Sequence, residues 1–522
     1  MQSLSLYFTL ITLLWIYWLW TRRKFYSLYP FIGMAHHLIR REEVLAKLSV
    51  YNQMYGPVWC SWVGPYPFVV ISDPVIAQEV LLSPNCVNKC FIYNGLDYTV
   101  GSSLFSLKGI HQKPRWSVHR KIFNPAFNHK ILLSFIPLFN EEVDALVLTL
   151  DKYAGKGPVD LMQNIQTYTL CLATRTTMGG VSIDRDQFEK TLVQSYQSAL
   201  EHTADVVFSP WLKCEFLQRM RGKQKKYSRA KMDINRFVRK RLRVNLRIAL
   251  TSTCFKLVNA QLSTDDSGER SPDNSLFIDI AIENFKCDRF TRTSVDNECG
   301  AIVFGVRNAS STSSIANFLV FISYTQAFET TANSIVYTLM LLAMFPNCQE
   351  KVYEELLSEF PEMGNLNITY NNTQNLIYMD MVLNETMRVL APVPLVARET
   401  MNDIKLSNGV TLPSGVQIAI DIFNMHRRKD IWGPEADTFN PDNFLSANMQ
   451  NKHSYAFIPF TKGLRYCIGW KYALLSTKIT LAKLLRNYKF TTDFKFENLK
   501  FVEDITLKLQ QLPLFTIERR NE

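Results

Sequence analysis

The chain has 522 residues, 47% of them hydrophobic, and a formal net charge of +11. That is enough apolar material for a large core, as one domain or as two lobes that share a site. The basic residues form no long tract, and no zinc spacing, RNP motif or basic stripe appears. This excludes nucleic acid and leaves an anionic membrane face or an acidic partner. Ten cysteines show no disulfide framework and read as reduced thiols of a cytosol-facing domain.

Residues 4–20 carry no charge, and Arg22, Arg23 and Lys24 follow at once. As a helix this run spans about 26 Å, close to the roughly 27 Å hydrocarbon layer of the endoplasmic reticulum. Four Trp and Tyr residues stand at its C-terminal end. The pattern predicts a single signal-anchor helix over residues 1–24, with residues 25–522 facing the cytosol. Residues 25–37 read as a hinge. A strand pair is predicted around Gly64 and Pro65, and a second around Asn408 and Gly409. Most of the remainder has helical period, so the fold class is mainly α with a small β subdomain.

Trp116 and Arg120 lie one helical turn apart in "WSVHR". "AFETT" supplies an acid, Glu329, beside a hydroxyl, Thr330, at the head of a long apolar run that Pro346 ends. "NETMR" places Glu385 and Arg388 at i, i+3 on one helix face. Arg398 follows in "PVPLVARE". Near the C-terminus stand Phe460, Gly463, Arg465, Cys467 and Gly469, followed by apolar positions 475, 479, 482 and 485 at helical spacing. A thiolate is a strong donor to haem iron. A helix starting just after it turns free amides toward the sulfur. The glycines permit a tight loop beside a flat macrocycle, Arg465 can reach an anionic propionate, and Phe460 can cover the sulfur side.

This order of residues, F-x-x-G-x-R-x-C-x-G, resembles the haem-thiolate signature of the cytochrome P450 monooxygenases, and the resemblance covers essentially the whole chain. It implies the cytochrome P450 fold and haem b with Cys467 as the iron ligand. It also implies Trp116, Arg120 and Arg398 near the propionates and Glu385 with Arg388 as a structural pair. Glu329 and Thr330 then correspond to the acid and alcohol that deliver protons. "PDNF", residues 441–444, departs from the usual P-E-R-F: Asn443 stands where an arginine is expected, and this variant is similar to insect members of the fatty-acid ω-hydroxylase-like clan. Those hydroxylases often carry a glutamate three residues before the acid. Here that residue is Gln326, or Gly305 if residues 306–326 are removed, so covalent haem is not expected.

The implied function is insertion of one oxygen atom of O2 into a small apolar substrate such as a fatty acid, a hormone-like lipid or a xenobiotic. Electrons would come from NADPH-cytochrome P450 reductase, with cytochrome b5 as a second donor, at the endoplasmic reticulum membrane. Lys462, Arg465 and the run Arg427, Arg428, Lys429 are candidates to meet the acidic reductase.

Residues 306–326 interrupt the helix expected over the haem. Ser310 to Ser314 is a poor helix segment, and twenty-one helical residues would add about 32 Å. Removing the segment joins Gly305 to Ala327 and restores one apolar helix. Its ends fit splice-site codons, so it reads as a retained intron, with a family-specific loop as the rival. A weaker second candidate covers residues 244–261. If the insert is real and destroys the pocket, the alternative function is a non-catalytic, membrane-bound haem- or ligand-binding protein.

Overall fold

A computed structural model describes residues 10–14, 33–64, 66–93, 115–178, 188–209, 214–230, 232–234, 322–362 and 366–520. Among these, helices dominate and the strands gather into small sheets. Helix α1 (Val44–Tyr55) leads into strands β1 (Val58–Val63) and β2 (Tyr66–Ile71), which pair antiparallel with Val58 opposite Ile71. This is the hairpin predicted around Gly64. Helix α2 (Arg115–Phe123) carries Trp116 and Arg120, and α3 (Ile136–Leu150), α4 (Met162–Met178) and α5 (Phe188–Phe208) follow.

At the centre lies α6 (Ile322–Met344). Phe328, Ala332, Ile335, Val336, Leu339 and Met340 are each at most 1% exposed. A helix that is apolar all round finds stability only inside a core, and α6 packs against α4, α5 and the later helices. Pro346 cannot continue it and instead occupies the first turn of α7 (Pro346–Glu359), as predicted. Helix α8 (Ile377–Val389) brings Glu385 and Arg388 into the interior.

Strands β3 (Leu395–Glu399) and β4 (Gln417–Asp421) complete a four-stranded sheet in the order β1-β2-β4-β3, with β2 and β4 parallel. The second predicted hairpin forms as a short pair, Ile404–Lys405 with Thr411–Leu412. Helix α9 (Trp470–Asn487) buries Leu475, Ile479, Ala482 and Leu485, the stripe its sequence period predicted. Strands β5 (Phe501–Asp504) and β6 (Thr506–Leu509) form a hairpin whose tip is Ile505.

Of the expected anchor, only residues 10–14 are among those described, and they are helical. No single helix among the described residues is long and apolar enough to cross a membrane. Residues 306–321 and 244–261 lie outside the described residues. Residues 322–326, the end of the segment read as an intron, form the first turns of α6.

Candidate functional site

Cys467 stands three residues before the first residue of α9, in a loop that folds back on itself. Its N–H donates to Phe460 O (3.0 Å), and the Tyr466 N–H donates to Gly463 O (3.2 Å). Gly463 has φ +76°, and a Cβ there would lie 2.0 Å from Leu81 O. The glycine is therefore required twice, by the left-handed backbone and by the neighbouring chain. Gly469 is different. It has φ −92°, and among the described residues a Cβ would meet only Phe127, at 3.9 Å, so none of those contacts demands a glycine. Gly469 does line the cavity beside Cys467, and any need for a small residue arises there.

That cavity holds about 490 Å³, within the range of roughly 300–1,000 Å³ usual for ligand sites. Cys467 and Phe460 line it on the side of the loop, Trp116 and Arg120 from α2, Arg398 from β3, and Thr330 from α6. The Cys467 side chain is accessible from the cavity. Burial deep in the fold pushes its thiol up, while the Gly469 N–H and the Arg120 charge pull it down.

Three guanidiniums gather here. Arg398 is 3% exposed and donates Nη1 to Ala397 O. Arg465 stacks on the Trp116 ring at 4.1 Å and donates Nε to Val87 O. Arg120 donates Nη1 to Tyr466 O, while its buried Nη2 has no hydrogen-bond partner among the described residues. Burial, then the charges of Arg398 and Arg120, push Arg465 down to about 9. Converging cations of this kind call for an anionic ligand. A flat macrocycle with two carboxylates and an open metal position fits this donor set. Cys467 could hold its iron, and Trp116, Arg120, Arg398 and Arg465 could hold its carboxylates.

Glu329 and Thr330, neighbours in sequence, part company in space. Thr330 faces the cavity. Glu329 is 2% exposed and lies behind the wall. Its Oε2 accepts from the Thr506 hydroxyl (3.1 Å), and its Oε1 lies 3.6 Å from Lys508 Nζ. Burial pushes this carboxyl up and Lys508 opposes that. Thr506 lines the cavity, so its hydroxyl stands between the acid and the open space. Lys508 also pairs with Asp504, which pairs with Arg41. Thr506 and Lys508 carried no signal in the sequence, because they reach Glu329 from a strand 177 residues away.

Glu385 and Arg388 form a fully buried bidentate pair (2.6 and 2.7 Å). Arg388 also donates to the carbonyls of His426, Ala436 and Thr438. Asn443 Nδ2 donates to Glu385 Oε1 at 3.1 Å, so the asparagine keeps the hydrogen bond of the missing arginine without its charge.

The expected reductase cluster needs correction. The Arg427 side chain is 10% exposed, stacks on Phe423 at 3.7 Å and bonds to Val389 O. Arg428 pairs with Asp73 (2.9 Å) and Asp430 (2.6 Å). Both are committed to internal structure, and only Lys429 of the three is exposed. A charge run in a sequence cannot show which of its members the fold has already neutralised.

A family model described as Cytochrome P450 matches residues 24–513. Probable cytochrome P450 313a4 of Drosophila melanogaster is 46% identical over 534 aligned residues that span all of both chains. Probable cytochrome P450 313a2 of the same fly is 36% identical over 97% of each chain. Cytochrome P450 4c21 of Blattella germanica is 29% identical over 94% of this chain and 92% of its own. The insect character implied by "PDNF" agrees with these relatives. With a thiol loop, an arginine-lined cavity and a match over nearly its whole length, the chain belongs to the cytochrome P450 family of haem-thiolate monooxygenases.

Proposed function

We propose that this enzyme uses Cys467 as the iron ligand and oxygenates a small apolar substrate with electrons from NADPH through a membrane-bound reductase. The observation that carries the reading is that Cys467 and Thr330 open onto the same arginine-lined cavity. When bound, haem supplies the redox chemistry that activates dioxygen. The overall balance is RH + O2 + NADPH + H+ giving ROH + H2O + NADP+.

The protein's own residues provide the rest. The start of α9 and the Gly469 N–H stabilise the sulfur as thiolate. Arg120, Arg398 and Arg465 fix the macrocycle by its carboxylates. Thr330 lines the cavity and offers it a hydroxyl that can donate or accept a hydrogen bond. Burial pushes the Glu329 carboxyl up, and a proton it holds can pass to Thr506 Oγ1 as that hydroxyl gives its own proton to the cavity. Leu383, Val396 and Ile505 exclude water and select an apolar molecule.

The test incubates purified protein with reductase, NADPH, 18O2 and a lipid panel. One 18O atom per product is expected, and Cys467→Ala should lose the reduced carbon monoxide band. A wild type that shows this band but consumes no NADPH beyond the reductase blank across the panel refutes the reading. Residues 1–24 are the proposed endoplasmic reticulum anchor, and their deletion should move the protein from the microsomal to the soluble fraction. We also hold that spliced transcript omits residues 306–326; cDNA that still encodes them ends that idea.

A further inference from the structure

Glu503 is a buried carboxyl that the chemistry above does not use. It is 3% exposed, yet it lines the cavity. Its carboxyl accepts from the Ile505 N–H, while Oε2 has no hydrogen-bond partner among the described residues. An unpaired polar atom in such a place costs free energy that a ligand could return.

The charged groups facing it are acidic. Asp504 precedes the hairpin tip and spends its charge on Arg41 and Lys508. Asp421 on β4 accepts from Asn52 and Asn424. Burial and these two carboxylates push Glu503 well above the usual carboxylate range, which favours the protonated form, a hydrogen-bond donor. The tip itself is strained. Ile505 has φ +69°, an outlier for a β-branched residue, of a kind that persists where surrounding structure enforces it. The hairpin thus presents Glu503, Ile505 and Thr506 together to one cavity.

We propose that Glu503 recognises a neutral oxygen acceptor, a ketone, ester or ether oxygen, on an otherwise apolar substrate. The inference rests on the monooxygenase reading of this cavity and narrows its substrate class. A substrate carboxylate at this wall would lie beside the buried carboxyls of Glu503 and Asp421, so the proposal moves the substrate away from free fatty acids.

The experiment compares 2-tridecanone, tridecane and tridecanoate as ligands of the full-length holoenzyme. Binding is read by Soret perturbation and by ligand-induced thermal stabilisation. Wild type should bind the ketone about tenfold more tightly than the alkane, the worth of one buried hydrogen bond. Glu503→Gln, whose amide also donates, should stay within about threefold for the ketone. Glu503→Leu should abolish the preference and leave tridecane affinity unchanged. Equal wild-type affinity for ketone and alkane overturns the proposal without any variant, and so does tighter binding of tridecanoate. A Glu503→Leu effect equal on both ligands overturns it too. Product formation is measured separately: ketone preference without turnover defeats the monooxygenase reading alone, and turnover without preference defeats only this inference.

Discussion

At the scale of single residues, the thiol loop separates two glycines that the sequence presents as equals. Gly463 combines a left-handed backbone with a carbonyl, Leu81 O, where its Cβ would stand. A backbone oxygen cannot swing aside as a side chain can, so Gly463→Ala must displace the loop that carries Cys467. Loss of the reduced carbon monoxide band, with a fall in Tm, is expected. Gly469→Ala meets ordinary backbone geometry and one distant ring, and the protein fold should tolerate it. Its unfolding free energy without haem should match wild type within the roughly 0.5 kcal/mol scatter of benign substitutions. If Gly463→Ala binds haem normally, the close approach to Leu81 does not set the loop.

At the scale of elements, the buried pair on α8 ties that helix to the segment leading toward the thiol. Arg388 holds His426 O, and His426 Nε2 accepts the Ile458 N–H (3.0 Å), two residues before Phe460. Burial and the Arg388 charge push this histidine down to about 3, which keeps it neutral and able to accept. The i, i+3 spacing made the pair legible, because both residues share one helix face. The three carbonyls that finish Arg388 were not legible, since they lie 38, 48 and 50 residues away in irregular chain. Glu385→Ala leaves a buried guanidinium without its carboxylate, which costs about 3–5 kcal/mol. Asn443→Ala removes one of several bonds to Glu385, worth about 1 kcal/mol. Urea unfolding of the two variants should separate them clearly. Equal losses would mean that Asn443 carries as much of the network as the charge does.

At the scale of the whole molecule, local patterns revealed the helices, both hairpins and the thiol motif, since each is written within a few residues of itself. What remained hidden depends on distant segments meeting: Thr506 against Glu329, Arg427 against Phe423, and Glu503 at the cavity wall. The arginine cluster joins three such segments, a helix, a strand and the thiol loop. Like charges held together inside a protein oppose folding until an anion arrives. Arg398→Met should therefore change sign with occupancy. Without haem it relieves repulsion on Arg465 and should raise stability by about 1 kcal/mol or more, within the range seen when buried charges give way to apolar groups. With haem it removes a partner for a carboxylate, so haem dissociation to an acceptor protein should quicken and Tm should fall. Thermal unfolding of both forms, with a haem-transfer rate, checks the reversal. A Tm lowered equally in both forms would show that Arg398 serves packing alone and that its charge has no part in holding the macrocycle.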